Sequence, residues 1–178
     1  MMDPILVYVS AAALSGIMLI GAVEKLLHYA DFEAAAAGHA LLPQALLRPF
    51  ATAFVSAELA GGAMLLVPAT RTAGAGLTLA LVLLATLAVI INLMRGRSGI
   101  DCGCGGFSRR EGGLSWWLVA RNATLLALAL PALLAARMAP RALGWMDVLT
   151  FFGATLAALG LYFCMNQLIA SHKRLEEA

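Results

Sequence analysis

Five long apolar runs dominate this chain of 178 residues and restrict the folds open to it. A helix that crosses the hydrocarbon core of a bilayer needs about 20 mainly apolar residues. Only 12% of the residues are charged, whereas soluble domains carry about a quarter. The runs predict membrane-spanning helices at residues 4–27, 50–67, 72–94, 114–136 and 145–170. Because these spans and short connections use up residues 1–178, we expect a single integral membrane domain.

The connection between the third and fourth spans is the most unusual part of the chain. It reads IDCGCGGF over residues 100–107, so that a single glycine separates Cys102 from Cys104. The arginines that flank it are Arg95, Arg97, Arg109 and Arg110. A thiol reacts as its thiolate, which nearby cations favour, and a disulfide that closes so small a ring is expected to be strained and oxidising. The pattern therefore predicts a redox-active dithiol, with Asp101 as either a local base or a turn residue.

Two other interpretations of the cysteines stay open. A structural disulfide between Cys102 and Cys104 would remove little chain entropy because the closed loop is so short. A metal site would need one or two further ligands, and the candidates, His28, His39 and Cys164, are scattered along the chain. Cys164 itself is interpreted either as a small buried apolar residue or as a relay for the dithiol.

Polar residues inside the spans fall on one side of the predicted membrane domain. With five alternating spans, the dithiol connection shares its side with the end of the first span and the start of the second. The polar residues nearest that side are Glu24, Lys25, His28, Glu58, Asn92, Arg121, Asn122, Cys164 and Asn166. Ionisable residues within a membrane are costly and commonly functional. We therefore predict a site beneath the dithiol, with Arg121 paired to Glu58 either as a structural bridge or to orient a polar headgroup such as that of a membrane quinone.

Several short motifs resemble the methylamine utilisation protein MauE family. They are Ile91 to Arg97, Asp101 to Gly105, Leu114-Ser115-Trp116 and Arg121-Asn122. Lys25-Leu26 and Glu58 with Gly61-Gly62 are similar to motifs of the wider DoxX-like group of four-helix membrane proteins. The resemblance covers about residues 5–134. It implies an all-α, polytopic membrane helix bundle with a DoxX-like four-helix core and a fifth transmembrane helix, located in the bacterial inner (plasma) membrane.

The resemblance also implies a role in maturing the disulfide-rich, quinone-cofactor subunit of methylamine dehydrogenase. Together with the dithiol, it predicts a membrane thiol–disulfide redox protein, a candidate thiol–disulfide oxidoreductase. Its partner would be a thiol-bearing substrate or a thioredoxin-like protein. The alternatives are a non-catalytic membrane scaffold or transport factor for a partner protein, and a transporter of small solutes or metals. Nucleic-acid binding is not expected, because no dense basic face is interleaved with aromatic residues.

Two considerations give opposite orientations for the dithiol connection. The basic residues on its side are Arg48, Arg95, Arg97, Arg109, Arg110, Lys173 and Arg174, and those on the other side are Arg71, Arg137 and Arg141. The excess predicts that the dithiol faces the cytoplasm. The resemblance implies the outer face, because disulfide-rich partners mature outside the cytoplasm. Without the four arginines that flank the cysteines the two sides are equal, so the orientation stays open.

Overall fold

The computed structural model describes residues 3–100, 113–135 and 144–176, and these residues form helices without any β-strand. In chain order the helices are α1 (Pro4–Leu27), α2 (Tyr29–Gly38), α3 (Gln44–Leu66), α4 (Arg71–Met94), α5 (Trp116–Leu133) and α6 (Trp145–Glu176). All except α2 are long and apolar enough to cross a membrane, which gives five candidate spans. The predicted all-α membrane bundle is therefore confirmed.

Four helices form the core of the bundle. Helices α1 and α4 stand on one diagonal, and each packs against both α3 and α5. Helix α6 lies outside this core and packs mainly on α1. The arrangement agrees with the predicted four-helix core and additional fifth span. It also means that α3 and α5, which carry Glu58 and Arg121, are not neighbouring helices.

The core is held together by apolar packing and by close helix crossings at glycine. The fully or nearly fully buried side chains that meet at the centre include Leu14, Ile17, Leu65, Val82 and Leu125. Helices α3 and α4 cross closely, because a Cβ atom added at Gly74 would lie 2.7 Å from the Cβ of Met64. Small residues permit such backbone approach between membrane helices. The association of these helices within a bilayer therefore depends on close packing, because lipid tails are as apolar as the side chains.

The connection between the first two spans differs from the prediction. Helix α2 occupies Tyr29–Gly38, and α3 begins at Gln44 instead of residue 50. Pro49 therefore lies inside α3. A proline has no N–H for the carbonyl four residues earlier, but here that residue is the exposed Ala45 in the first turn, where water can replace the lost bond. The other predicted spans agree with α1, α4, α5 and α6 to within a few residues, although α6 continues to Glu176.

One end of the bundle carries the features of interest and is termed the dithiol end. There α1 and α4 end, and α3 and α5 begin. Trp116 and Trp117 are about 60% exposed at this end (62% and 59%). Amphipathic rings of this kind favour the headgroup level of a bilayer. The two tryptophans therefore mark the membrane surface on the dithiol side.

Candidate functional site

A buried ion pair joins α1 to α3 below the dithiol end. The Nζ atom of Lys25 donates to Oε1 and Oε2 of Glu58 at 2.9 and 2.8 Å. Both side chains are more than nine-tenths buried, with exposed fractions of 6% and 7%. The rings of Phe32 and Phe54 lie 5.7 and 5.9 Å from the ammonium group. Two opposite charges are thus held together in an apolar setting, where each alone would be costly.

The predicted pairing of Glu58 with Arg121 is therefore wrong. Glu58 lies on α3 and Arg121 on α5, which occupy opposite corners of the four-helix core. Lys25 lies on α1, the direct neighbour of α3, and its side chain points back toward Gly21. Side chains of a helix lean toward its N-terminus, so Lys25 reaches down to the level of Glu58. The sequence contained both residues as separate motifs, but nothing in it identified the neighbouring helices.

Arg121 lies in a network of amides instead. Its guanidinium donates from Nη1 to Oδ1 of Asn166 at 2.9 Å and from Nη2 to Oδ1 of Asn122 at 3.2 Å. The Nδ2 atom of Asn122 donates to Oγ1 of Thr86 at 3.0 Å, which links α5 to α4. The ring of Tyr162 lies 5.9 Å from the guanidinium carbon. The network joins α4, α5 and α6, and brings Arg121, Asn122 and Asn166 close together.

Asn92 has a different neighbourhood from the other predicted residues. It is fully buried near the end of α4, where its Nδ2 atom donates to Nδ1 of His39 and to the Ala88 carbonyl, both at 2.9 Å. His39, which caps the C-terminus of α2, is 8% exposed. The bond fastens α2 across the dithiol end of the bundle. From the sequence, His39 is only a scattered candidate metal ligand, because its burial depends on the position of α2.

The Lys25–Glu58 ion pair and the Arg121 network line one cavity of about 360 Å³. Its wall includes Lys25 and Glu58 on one side and Arg121, Asn122 and Asn166 on the other. Most of the remaining wall is apolar, and it includes Phe32 and Ala36 of α2 and His39 at the C-terminal cap of that helix. The volume lies within the range of pockets for small organic ligands, about 300–1,000 Å³. The structure thus brings Glu58 and Arg121 to one cavity without a contact between them.

The dithiol lies outside the described residues, but both of its stems are placed. Asp101, Cys102, Cys104 and Arg109 belong to the segment that is not described. Ile100, directly before it, packs with Val89, Leu114 and Leu118 in one apolar cluster at the dithiol end. Leu114 follows the segment almost immediately. The two ends of the dithiol segment are therefore held together at the end of the bundle that contains the cavity.

The remaining predicted residues are exposed. Arg95 and Arg97 lie in the turn after α4, where Gly96 has a φ of +71°. Their side chains are exposed, close to the start of the dithiol segment. Cys164 is a free, exposed thiol on α6 and does not line the cavity. Across residues 3–100, 113–135 and 144–176, no three His, Cys, Asp or Glu side chains cluster as metal ligands would.

A second buried arginine lies at the opposite end of the bundle and was missed from the sequence. Arg71 begins α4, and its Nε atom donates to the Leu65 carbonyl at 3.2 Å. Its guanidinium lies 4.8 Å from the centre of the Tyr8 ring. A carbonyl in the last turn of α3 thereby receives a donor that the helix itself does not supply. The burial of Arg71 is therefore explained by its structural contacts at this end of the bundle.

Comparison with known proteins places these observations in a family. The sequence profile described as Methylamine utilisation protein MauE matches residues 3–136. The Methylamine utilization protein MauE of Methylorubrum extorquens is 34% identical over 86% of this chain and 88% of its own length. The protein of the same name from Paracoccus versutus is 34% identical over 93% of this chain and 88% of its own length. No solved structure matches the chain.

Proposed function

Because the chain belongs to the MauE family, we propose that it serves methylamine utilisation as a multi-pass membrane thiol–disulfide redox protein. Cys102 and Cys104 form the exchanging pair in this proposal. The partner is a thiol-bearing protein, such as the disulfide-rich small subunit of methylamine dehydrogenase or a thioredoxin-like protein. The membrane is the bacterial inner membrane. Membership of the family supports the role in methylamine utilisation. The redox chemistry is inferred from the two cysteines and the residues around them.

The observation that carries the proposal is the position of the residues on either side of the dithiol segment. Ile100 and Leu114 hold its two ends in one apolar cluster. That cluster lies at the end of the bundle where the buried residues Lys25, Glu58 and Arg121 line a common cavity. The residues that precede and follow the dithiol segment therefore lie together at this end of the bundle. In the proposal a protein partner reaches the dithiol from the aqueous phase, while the bundle beneath supplies a mainly apolar cavity with a few polar groups.

The exchange proceeds in two displacement steps. A thiolate of the partner attacks one sulfur of the Cys102–Cys104 disulfide, which forms a mixed disulfide and releases the other cysteine as a thiolate. A second thiolate of the partner then attacks the mixed disulfide. The partner leaves with a new disulfide, and the pair has gained two electrons as two thiols after uptake of two protons from water. Arg95, Arg97 and Arg109 favour the thiolate that leaves, and Asp101 accepts or returns a proton.

Alkylation of the cysteines tests this function directly. Membranes are treated with a maleimide that adds mass to each free thiol, with and without prior reduction, in a Cys164→Ser background. We expect Cys102 and Cys104 to change from protected to reactive on reduction. Cys102→Ser and Cys104→Ser should each abolish the maturation of methylamine dehydrogenase in the host, whereas Cys164→Ser should support it. Normal maturation in both single variants would exclude the redox function and favour the non-catalytic scaffold.

A further inference from the structure

Arg121 is a buried cation without a carboxylate partner in the described part of the chain. Its exposed fraction is 6%, and the salt bridges found among the described residues are Lys25–Glu58 and Arg48–Glu33. The amides of Asn122 and Asn166 accept its hydrogen bonds but neutralise no charge. An uncompensated cation inside a membrane protein is costly and points to function. The guanidinium lines the cavity, where an acceptor on a ligand would stabilise it.

A second donor at the same end of the cavity also has no acceptor among the described residues. The Nδ2 atom of Asn166 is buried and forms no hydrogen bond there, although Oδ1 of the same amide accepts from Arg121. Buried polar groups are normally paired. Arg121 and Asn166 thus present hydrogen-bond donors, and little acceptor capacity, to the same region. A ligand with carbonyl oxygens would satisfy both residues.

The depth of this region restricts the kind of ligand. Arg121 is five residues beyond Trp116, which corresponds to about 7.5 Å along a helix. Trp116 and Trp117 mark the headgroup level, where the phosphates of a phospholipid lie. The backbone of Arg121 therefore lies below the phosphates, and Asn122 and Asn166 hold its guanidinium within the bundle. A neutral ring with carbonyl groups dissolves in the hydrocarbon region and can reach this depth, which favours it over a phosphate.

The cavity also communicates with the surface that faces lipid. Its wall includes Leu84, Leu87 and Ile91 on α4, which are 46%, 54% and 37% exposed, and Leu41, which is 39% exposed. These side chains belong to or adjoin a candidate membrane span. A partly exposed apolar wall is suited to the long tail of a lipophilic molecule. A ligand can therefore enter with its tail in the bilayer and its head toward Arg121.

We propose that the cavity binds a membrane quinone, with its ring carbonyl groups toward Arg121 and Asn166 and its isoprenoid tail along Leu84 and Leu87. The inference deepens the proposed function and, for the electron transfer, rests on it. The dithiol of Cys102 and Cys104 gives two electrons and two protons to the quinone, which yields the disulfide and a quinol. Helix α6 lies outside the part of the chain that the family profile matches, yet it supplies Asn166 to this site.

Binding is tested with the full chain in phosphatidylcholine nanodiscs and decylubiquinone as the probe. Quenching of tryptophan fluorescence gives the dissociation constant. We expect Arg121→Gln and Asn166→Leu each to weaken binding roughly tenfold or more, because a charged or buried hydrogen bond is lost. Ala88→Leu, which fills the cavity, should weaken it similarly while leaving both polar groups intact. Arg48→Gln, on an exposed side chain, is the control and should bind as the parent does.

Two further arms separate the alternatives. Phosphatidylglycerol added to the nanodiscs should leave the affinity for decylubiquinone unchanged, and competition would show that the site belongs to an anionic lipid and overturn the proposal. Equal binding by the parent, Arg121→Gln and Ala88→Leu would overturn it as well. The Cys102→Ser/Cys104→Ser double variant should still bind the quinone. Binding by this variant tests the quinone site even if the alkylation experiment excludes the thiol function. Failure of one proposal can therefore be distinguished from failure of the other.

Discussion

The Nζ atom of Lys25 and the Oε2 atom of Glu58 lie 2.8 Å apart at the level of Gly21. Gly21 precedes the end of α1 by six residues, which places the pair about 9 Å from that end along the helix. The pair closes the interface between α1 and α3 and forms one side of the cavity. Because both charges are desolvated, each depends on the other.

Loss of one member of this pair should therefore be more damaging than loss of both. Lys25→Met or Glu58→Leu leaves a buried charge without its partner, and we expect each to lower the free energy of unfolding by about 3–5 kcal/mol. The double variant Lys25→Met/Glu58→Leu should lose much less unfolding free energy than the sum of the losses in the two single variants. Unfolding in mixed detergent micelles with increasing dodecyl sulfate measures the three values.

A surface pair supplies the matched control for this experiment. The Nε atom of Arg48 lies 3.4 Å from Glu33, but the arginine side chain is 82% exposed. Arg48→Gln should change stability by less than about 1 kcal/mol, as is usual for solvated ion pairs. Additive effects of Lys25→Met and Glu58→Leu would contradict the mutual dependence of the buried charges.

The contact between His39 and Asn92 should determine how firmly α2 is held. We expect Asn92→Leu, which keeps the volume but removes the donor, to increase amide hydrogen exchange over Tyr29–Gly38 roughly fivefold, since the lost bond is worth about 1 kcal/mol. Hydrogen exchange followed by mass spectrometry measures the change. The amides of α1 provide the internal reference and should keep their protection. Equal acceleration in both helices would indicate general destabilisation instead.

The close crossing of α3 and α4 predicts that alanine substitutions at two glycines affect stability in opposite directions. A Cβ atom at Gly74 would lie 2.7 Å from Met64 Cβ and 2.9 Å from the Leu65 nitrogen, so Gly74→Ala should destabilise the chain by about 1–3 kcal/mol. Gly153 on α6 has no atom within 4 Å of the same position. Gly153→Ala should therefore leave stability unchanged or raise it by up to about 1 kcal/mol. Thermal unfolding in detergent, monitored by circular dichroism, compares them, and equal effects would contradict the close crossing.

The sequence predicted the spans well because a bilayer imposes one length and one polarity on every helix that crosses it. The same reasoning predicts Glu58, Arg121 and Asn122 in one half of the membrane domain, and in the structure these three residues line one cavity. It could not identify Lys25 as the partner of Glu58, because alternating spans give the direction of each helix but not its neighbours. The extent of helix α2 could not be predicted for a related reason. Its short, weakly amphipathic sequence forms a helix that is held by contacts such as His39 with Asn92.

The antiparallel core also predicts which engineered cysteines should share a side with the dithiol. Gln44 begins α3 at the dithiol end, whereas Ala69 lies in the turn between α3 and α4 at the opposite end, and both residues are exposed. In a background with all three native cysteines changed to serine, Gln44→Cys and Ala69→Cys should react from opposite sides with a membrane-impermeant maleimide. Cys102 and Cys104, reduced in a Cys164→Ser chain, should react from the side of Gln44→Cys.

The labelling of intact cells then settles the orientation that the basic residues and the family resemblance left open. If Gln44→Cys and the native pair react before the cells are opened, the dithiol faces outward, where thiol partners become oxidised. If they react only after the cells are opened, it faces the cytoplasm, as the excess of arginine predicts. Reaction of Gln44→Cys and the native pair from different sides would contradict the five-span arrangement itself, because α3 begins and α4 ends at the same end of the bundle.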